Sequence, residues 1–81
     1  MKANVIVTLK KEVSDPQGFA VQQALGSMEY KGVQNVRVGK FFEVKLDGMT
    51  REQAEAQLHE MAEKILSNPV VEDYRFEIVE A

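Results

Sequence analysis

Val33-Gln34-Asn35-Val36-Arg37-Val38-Gly39-Lys40-Phe41-Phe42-Glu43-Val44-Lys45-Leu46 is the stretch on which the fold turns. Val36 and Val38 alternate with polar neighbours, and Phe42, Val44 and Leu46 do the same further on. That two-residue period belongs to half-buried strands. Gly39-Lys40, between the two runs, has the composition of a two-residue hairpin loop. The stretch therefore predicts a strand over Val33 to Val38, an exposed turn, and a strand over Phe41 to Leu46.

Upstream, Ala3 to Lys10 reads as another strand, with Val5, Val7 and Leu9 on one face and Ile6 on the other. Ser14-Asp15-Pro16-Gln17-Gly18 then opens a helix. Asp15 suits the N-cap because its carboxylate accepts an orphan amide, and Pro16 suits the first helical position, which needs no donor. The helix is predicted to run to about Met28 or Tyr30, with Val21, Ala24, Leu25 and Met28 as its buried stripe. Downstream, Asp47-Gly48 ends the third strand and Thr50-Arg51-Glu52-Gln53 has capping-box spacing. A second helix carries Ala54, Leu58, Met61, Ala62, Ile65 and Leu66, and Asn68-Pro69 stops it. Val70 to Val79 is the last predicted strand.

This order, βαββαβ, places the chain in the α+β class. It predicts a four-stranded antiparallel sheet with both helices on one face, as in ferredoxin-like folds. The other face would carry Ile6, Thr8, Phe41, Glu43, Lys45, Val71, Arg75 and Val79, a mixed surface suited to a modest interface. One domain spanning 1–81 accounts for the whole pattern.

The composition narrows function mainly by exclusion. A chain of 81 residues hides only about 60% of its unfolded surface, so its core is marginal and self-association is the expected remedy. It has no cysteine, which removes disulfides and thiolate metal sites and agrees with a cytoplasmic location. Its net charge of −3, with both signs well mixed, argues against binding to nucleic acid or to anionic membrane. The sequence contains neither a spanning apolar run nor the features of a secretory signal.

No catalytic set is legible. His59 is the single histidine and flanks the second helix's apolar stripe, where a packing role is expected. Ser14, Ser27 and Ser67 lack a nucleophile-elbow context. Glu52, Glu55, Glu60 and Glu63 read as a solvated helix face, and Glu60 can pair with Lys64. Gly39-Lys40 could cradle an anion, but a turn explains it. An RNA-binding strand at Val38-Gly39-Lys40-Phe41-Phe42 would leave only Phe41 to stack. The loop after the first strand, Lys11 to Asp15, does not match the anion loop of acylphosphatases.

Three segments carry a more specific signal. Asp15-Pro16-Gln17-Gly18, Gly32 to Lys40, and Leu66-Ser67-Asn68-Pro69-Val70-Val71-Glu72-Asp73-Tyr74 together resemble the PurS family. This family is the small subunit of phosphoribosylformylglycinamidine synthase, and the resemblance covers essentially the whole chain. It implies a non-catalytic, homodimeric assembly subunit in de novo purine biosynthesis. The large synthetase subunit would use ATP and Mg²⁺, and the glutaminase subunit would release ammonia from glutamine. No cofactor would be bound by this chain. The motif residues carry over as structural or partner-contact positions: Asp15, Pro16, Gly18, Gly39, Lys40, Asn68, Pro69 and Glu72. Among them, Lys40 is the leading partner contact. A small dimeric regulatory domain binding a ligand is the alternative. Where the family often has glycine before an aromatic residue, Glu29 precedes Tyr30, which predicts a longer first helix. Ser67 replaces a common alanine.

Overall fold

Alternation puts the first strand at the centre of the sheet. In β1 (Lys2–Leu9) the side chains of Ala3, Val5 and Val7 are buried, while their neighbours stay partly wet. A computed structural model describes residues 1–80. After β1 come α1 (Pro16–Ser27), β2 (Gly39–Lys45), α2 (Arg51–Met61) with a π-helical turn (Ala62–Leu66), and β3 (Glu72–Val79). The sheet is antiparallel with the order β2-β1-β3.

The register stacks the core. Ala3 lies between Val44 and Ile78, and Val5 lies between Phe42 and Phe76. Ala54 and Leu58 cover these rows from the helical layer, and Ala62 is also fully buried. Fully burying a side chain such as Leu58 contributes roughly 1.5–3 kcal/mol. The capping box forms as the spacing requires: Thr50 Oγ1 accepts the Gln53 amide at 3.2 Å, and Gln53 Oε1 accepts the Thr50 amide at 3.0 Å.

The α+β class holds, but the described sheet has three strands rather than four. Val33 to Val38 is not a strand, and Gly39-Lys40 is not a turn: both residues begin β2, opposite Thr8 and Val7. The reason is where the backbone groups of the 33–38 segment find partners. The Val38 amide donates to the Asp15 carboxylate, and the Gln34 carbonyl accepts from Gln22 Nε2 at 3.1 Å. Side chains from α1 and its cap thus hold the segment as a strap. The last strand begins at Glu72 instead of Val70, so Val71 lies outside the otherwise correctly anticipated outer face.

The helices do not share one face of the sheet. α2 packs on the core, whereas α1 buries only Gly18 and sends no side chain into the core. The chain measures 50 × 29 × 14 Å, with a radius of gyration of 16.0 Å. A compact domain of this length would have a radius near ~12 Å.

Two helix ends also differ from expectation. α1 stops at Ser27 because Glu29 takes φ 71°. Its amide bonds the Gly26 carbonyl at 3.0 Å while the Tyr30 amide bonds Leu25 at 3.1 Å, which is a complete Schellman closure. In α2, the π turn adds a residue to the helical circuit, and the Ser67 amide reaches back to the Ala62 carbonyl at 2.9 Å. That shift turns Ile65 outward, leaving it 80% exposed, and brings Leu66 against the core.

Candidate functional site

Asp15 organises the region where four of the eight predicted site residues meet. It is 8% exposed, and each carboxylate oxygen has a partner. Oδ1 accepts the Gly18 amide at 2.9 Å, capping α1, and Oδ2 accepts the Val38 amide at 2.8 Å. These two backbone bonds hold its pKa below the usual carboxylate value, aided by the nearby Arg37 charge and opposed by burial. Pro16 occupies the first helical position, as its missing donor allows.

Gly18 is dictated by the strap. A Cβ there would collide with the Val36 carbonyl oxygen and come within 2.8 Å of Asp15 Oδ2. Gly39 answers a similar need on the other side: a Cβ would lie 2.6 Å from the Val7 carbonyl oxygen and 2.8 Å from Thr8 Cγ2. It is therefore a close-approach residue within a strand, not a turn residue.

Lys40 and Glu72 come together across the core face of the sheet. Lys40 Nζ is 3.9 Å from Glu72 Oε2, and Glu72 Oε1 accepts the Asn68 amide at 2.6 Å. Asn68 Oδ1 accepts the Val70 amide at 3.2 Å, so Asn68-Pro69 forms the turn that feeds β3. Asp15, Gly39, Lys40 and Glu72, together with Val7, Leu9, Gln17 and Val38, line a cleft of about 170 Å³. Pro16, Gly18, Asn68 and Pro69 shape its surroundings without lining it.

Sequence reasoning missed Arg37. One guanidinium nitrogen, Nη2, donates to the carbonyls of Lys10 and Val13, each at 2.9 Å, and to Leu9 at 3.4 Å. It gathers the loop between β1 and α1. An arginine inside an apparent strand gives no such signal, because its carbonyl partners lie 24 to 28 residues away.

The cleft's charged side chains are engaged within the fold. Asp15 serves two amides, and Lys40 faces Glu72. This is an arrangement for holding a shape. His59 lies elsewhere, edge-on to Phe76 with ring centroids 4.9 Å apart, and its Nδ1 is 2.9 Å from the Tyr74 hydroxyl. That hydroxyl donates to Glu63 at 3.3 Å; desolvation and the Glu63 charge raise the Tyr74 pKa. These contacts pin α2 to β3. Among the described residues, no three His, Asp or Glu side chains gather as metal ligands. No described helix is long and apolar enough to cross a membrane.

The whole architecture has relatives. The family model for PurS, phosphoribosylformylglycinamidine (FGAM) synthase, matches residues 2–80. The Bacillus subtilis strain 168 phosphoribosylformylglycinamidine synthase subunit PurS is 49% identical over 79 residues, covering 98% of this chain and 93% of that protein. Methanocaldococcus jannaschii PurS, a subunit of formylglycinamide ribonucleotide amidotransferase, superposes with a TM-score of 0.88 at 32% identity, covering 99% and 96% of the two chains. A chain of the Thermotoga maritima PurLQS structure gives 0.86 at 28% identity, covering 94% and 93%. With the family model matched over residues 2–80 and a relative 49% identical over nearly its full length, the chain belongs to the PurS family of phosphoribosylformylglycinamidine synthase.

Proposed function

We propose that this chain is the non-catalytic assembly subunit of a multi-chain phosphoribosylformylglycinamidine synthase in purine biosynthesis. It joins the large synthetase subunit to the glutaminase subunit, so that ammonia released from glutamine reaches the ATP-dependent site. The observation that carries this reading is the match to a chain of the Thermotoga maritima PurLQS structure. The cleft agrees with it, because its polar groups maintain the fold instead of presenting a reactive atom.

In this reading the complex uses ATP, Mg²⁺ and glutamine, and the small subunit binds none of them. The subunit is a cytoplasmic homodimer. Lys40, exposed at the mouth of the cleft, contacts one of the larger partners. Ammonia transfer explains why a rigid adaptor is needed: two active sites must stay in register for the intermediate to avoid bulk water. No observation favours the alternative of a ligand-binding regulatory domain.

The test mixes the purified synthetase, glutaminase and small subunit with glutamine, ATP and Mg²⁺. Glutamine-dependent turnover should collapse when the small subunit is omitted, while turnover with free ammonia should largely persist. Equal glutamine-dependent activity without it refutes the proposal.

A further inference from the structure

We infer that the outer face of the sheet docks one of the two larger subunits, through a patch on that subunit that presents a carboxylate between apolar side chains. The inference rests on the assembly reading above. α2 packs on the opposite face, and on this one Phe41 is 61% exposed and Val79 40%. The register builds its centre. Ile6 of β1 pairs with Phe41 of β2 on one side and with Arg75 of β3 on the other, so the three side chains form one row across the sheet. Ile6 is half-buried, and Phe41 and Arg75 are exposed. An aromatic ring, a branched aliphatic and an arginine side by side match the composition at the centre of protein interfaces.

The flanking rows are of another kind. Glu43, Asn4 and Glu77 form one, and Gly39, Thr8 and Asp73 form the other. Their three carboxylates are engaged within the fold. Lys2 Nζ lies 3.2 Å from Glu43 Oε2, Lys10 Nζ lies 3.8 Å from Asp73 Oδ1, and Asn4 Nδ2 donates to Glu77 Oε1 at 3.3 Å. Arg75 differs: among the described residues it makes no ion pair. Arg75 and Ile6 also border two hollows in the face. One, of about 280 Å³, extends to Thr8 and Asp73; the other, of about 340 Å³, extends to Asn4 and Glu77. The unpaired cation thus stands between two recesses that side chains of another molecule can enter.

Charge selects that molecule. A guanidinium covered by a partner loses its water and needs a carboxylate, which it binds through two parallel hydrogen bonds. A second copy docked face to face does not offer one, because its Glu43, Asp73 and Glu77 are already held by Lys2, Lys10 and Asn4. The face also carries four cations, Lys2, Lys10, Lys45 and Arg75, against those three carboxylates, although the whole chain has a net charge of −3. Two copies therefore repel across it. A different chain with an unpaired Asp or Glu meets neither obstacle, and the different chains of the assembly are the two larger subunits.

Arg75→Glu and Phe41→Ala, both at exposed positions, test the inference in the reconstituted three-subunit enzyme. Each variant is titrated into the purified synthetase and glutaminase with glutamine, ATP and Mg²⁺. Light scattering gives its mass alone, and a thermal melt its Tm. Both variants should keep the mass of the intact chain and nearly its Tm. Arg75→Glu should need at least about tenfold more small subunit for half-maximal turnover, equivalent to roughly 1.4 kcal/mol. Phe41→Ala should need several-fold more. A titration by Arg75→Glu that matches the intact chain overturns the inference and leaves the assembly reading standing. A changed mass of either variant alone assigns the face to a second copy and overturns it too. If Arg75→Glu fails to fold, Phe41→Ala decides by the same criteria. Full glutamine-dependent turnover without any small subunit removes the assembly reading and this inference together.

Discussion

Asp15 accepts the Val38 amide at 2.8 Å across 23 residues of sequence, and that bond holds the strap to the start of α1. The same carboxylate caps the helix through Gly18. Its native pKa is lowered by those bonds, so it contributes stability that is present above its unfolded value, near ~3.9, and lost as pH falls through the native value. Asp15→Asn should lower Tm at neutral pH and flatten the acid limb of stability. Thermal melts from pH 7 down to pH 2 measure both; an unchanged acid limb contradicts the assignment.

Gly18→Ala should destabilise the chain by about 1–3 kcal/mol, because the strap must move to admit the methyl group. Urea melts should show a lower midpoint, while α2 and the sheet core remain native in amide hydrogen exchange. A gain in stability, as expected for alanine in an uncrowded helix, argues against close contact with Val36.

Glu29 is the one described residue other than glycine with positive φ. Glu29→Gly relieves that conformation and should stabilise the protein by up to about 1 kcal/mol, raising Tm by roughly 4–8 °C per kcal/mol. Differential scanning calorimetry gives the answer; a lower Tm refutes it.

Lys40 offers a separation of stability from assembly. Its side chain is 63% exposed and lies 3.9 Å from Glu72, so removing the pair costs at most about 1 kcal/mol. Lys40→Ala should therefore keep nearly the native Tm, yet require more small subunit for half-maximal glutamine-dependent turnover. Titration of the reconstituted enzyme checks this, and an unchanged titration removes Lys40 as a partner contact.

The π turn predicts a phase reversal in α2. Leu66→Ala should cost about 2–5 kcal/mol at this packed position, whereas Ile65→Ala should change stability by less than about 0.5 kcal/mol. Paired denaturant melts distinguish them. Equal losses indicate that Ile65 is buried.

Much of this molecule is written locally. The alternation in β1, the Asp15-Pro16 start of α1, the Thr50 capping box and the Asn68-Pro69 stop were all legible, because each depends on neighbours within a few residues. The eight proposed site residues include four that do line one cleft, but their pairing was not visible: Lys40 and Glu72 are distant in sequence and adjacent only across the sheet.

The stretch from Val33 to Leu46 marks the boundary. Its alternation predicted inward-facing apolar residues in both halves, and only the second half forms a strand, β2, with Phe42 and Val44 against the core. A strand also needs a partner edge, and no periodicity supplies one. Asp15 and Gln22 take backbone groups of the first half, and Arg37 anchors it to the β1–α1 loop, so it becomes a strap instead of a fourth strand. The helix stripe carries the same lesson: its sequence says that α1 has an apolar face, whereas the tertiary structure shows that its own core leaves that face uncovered.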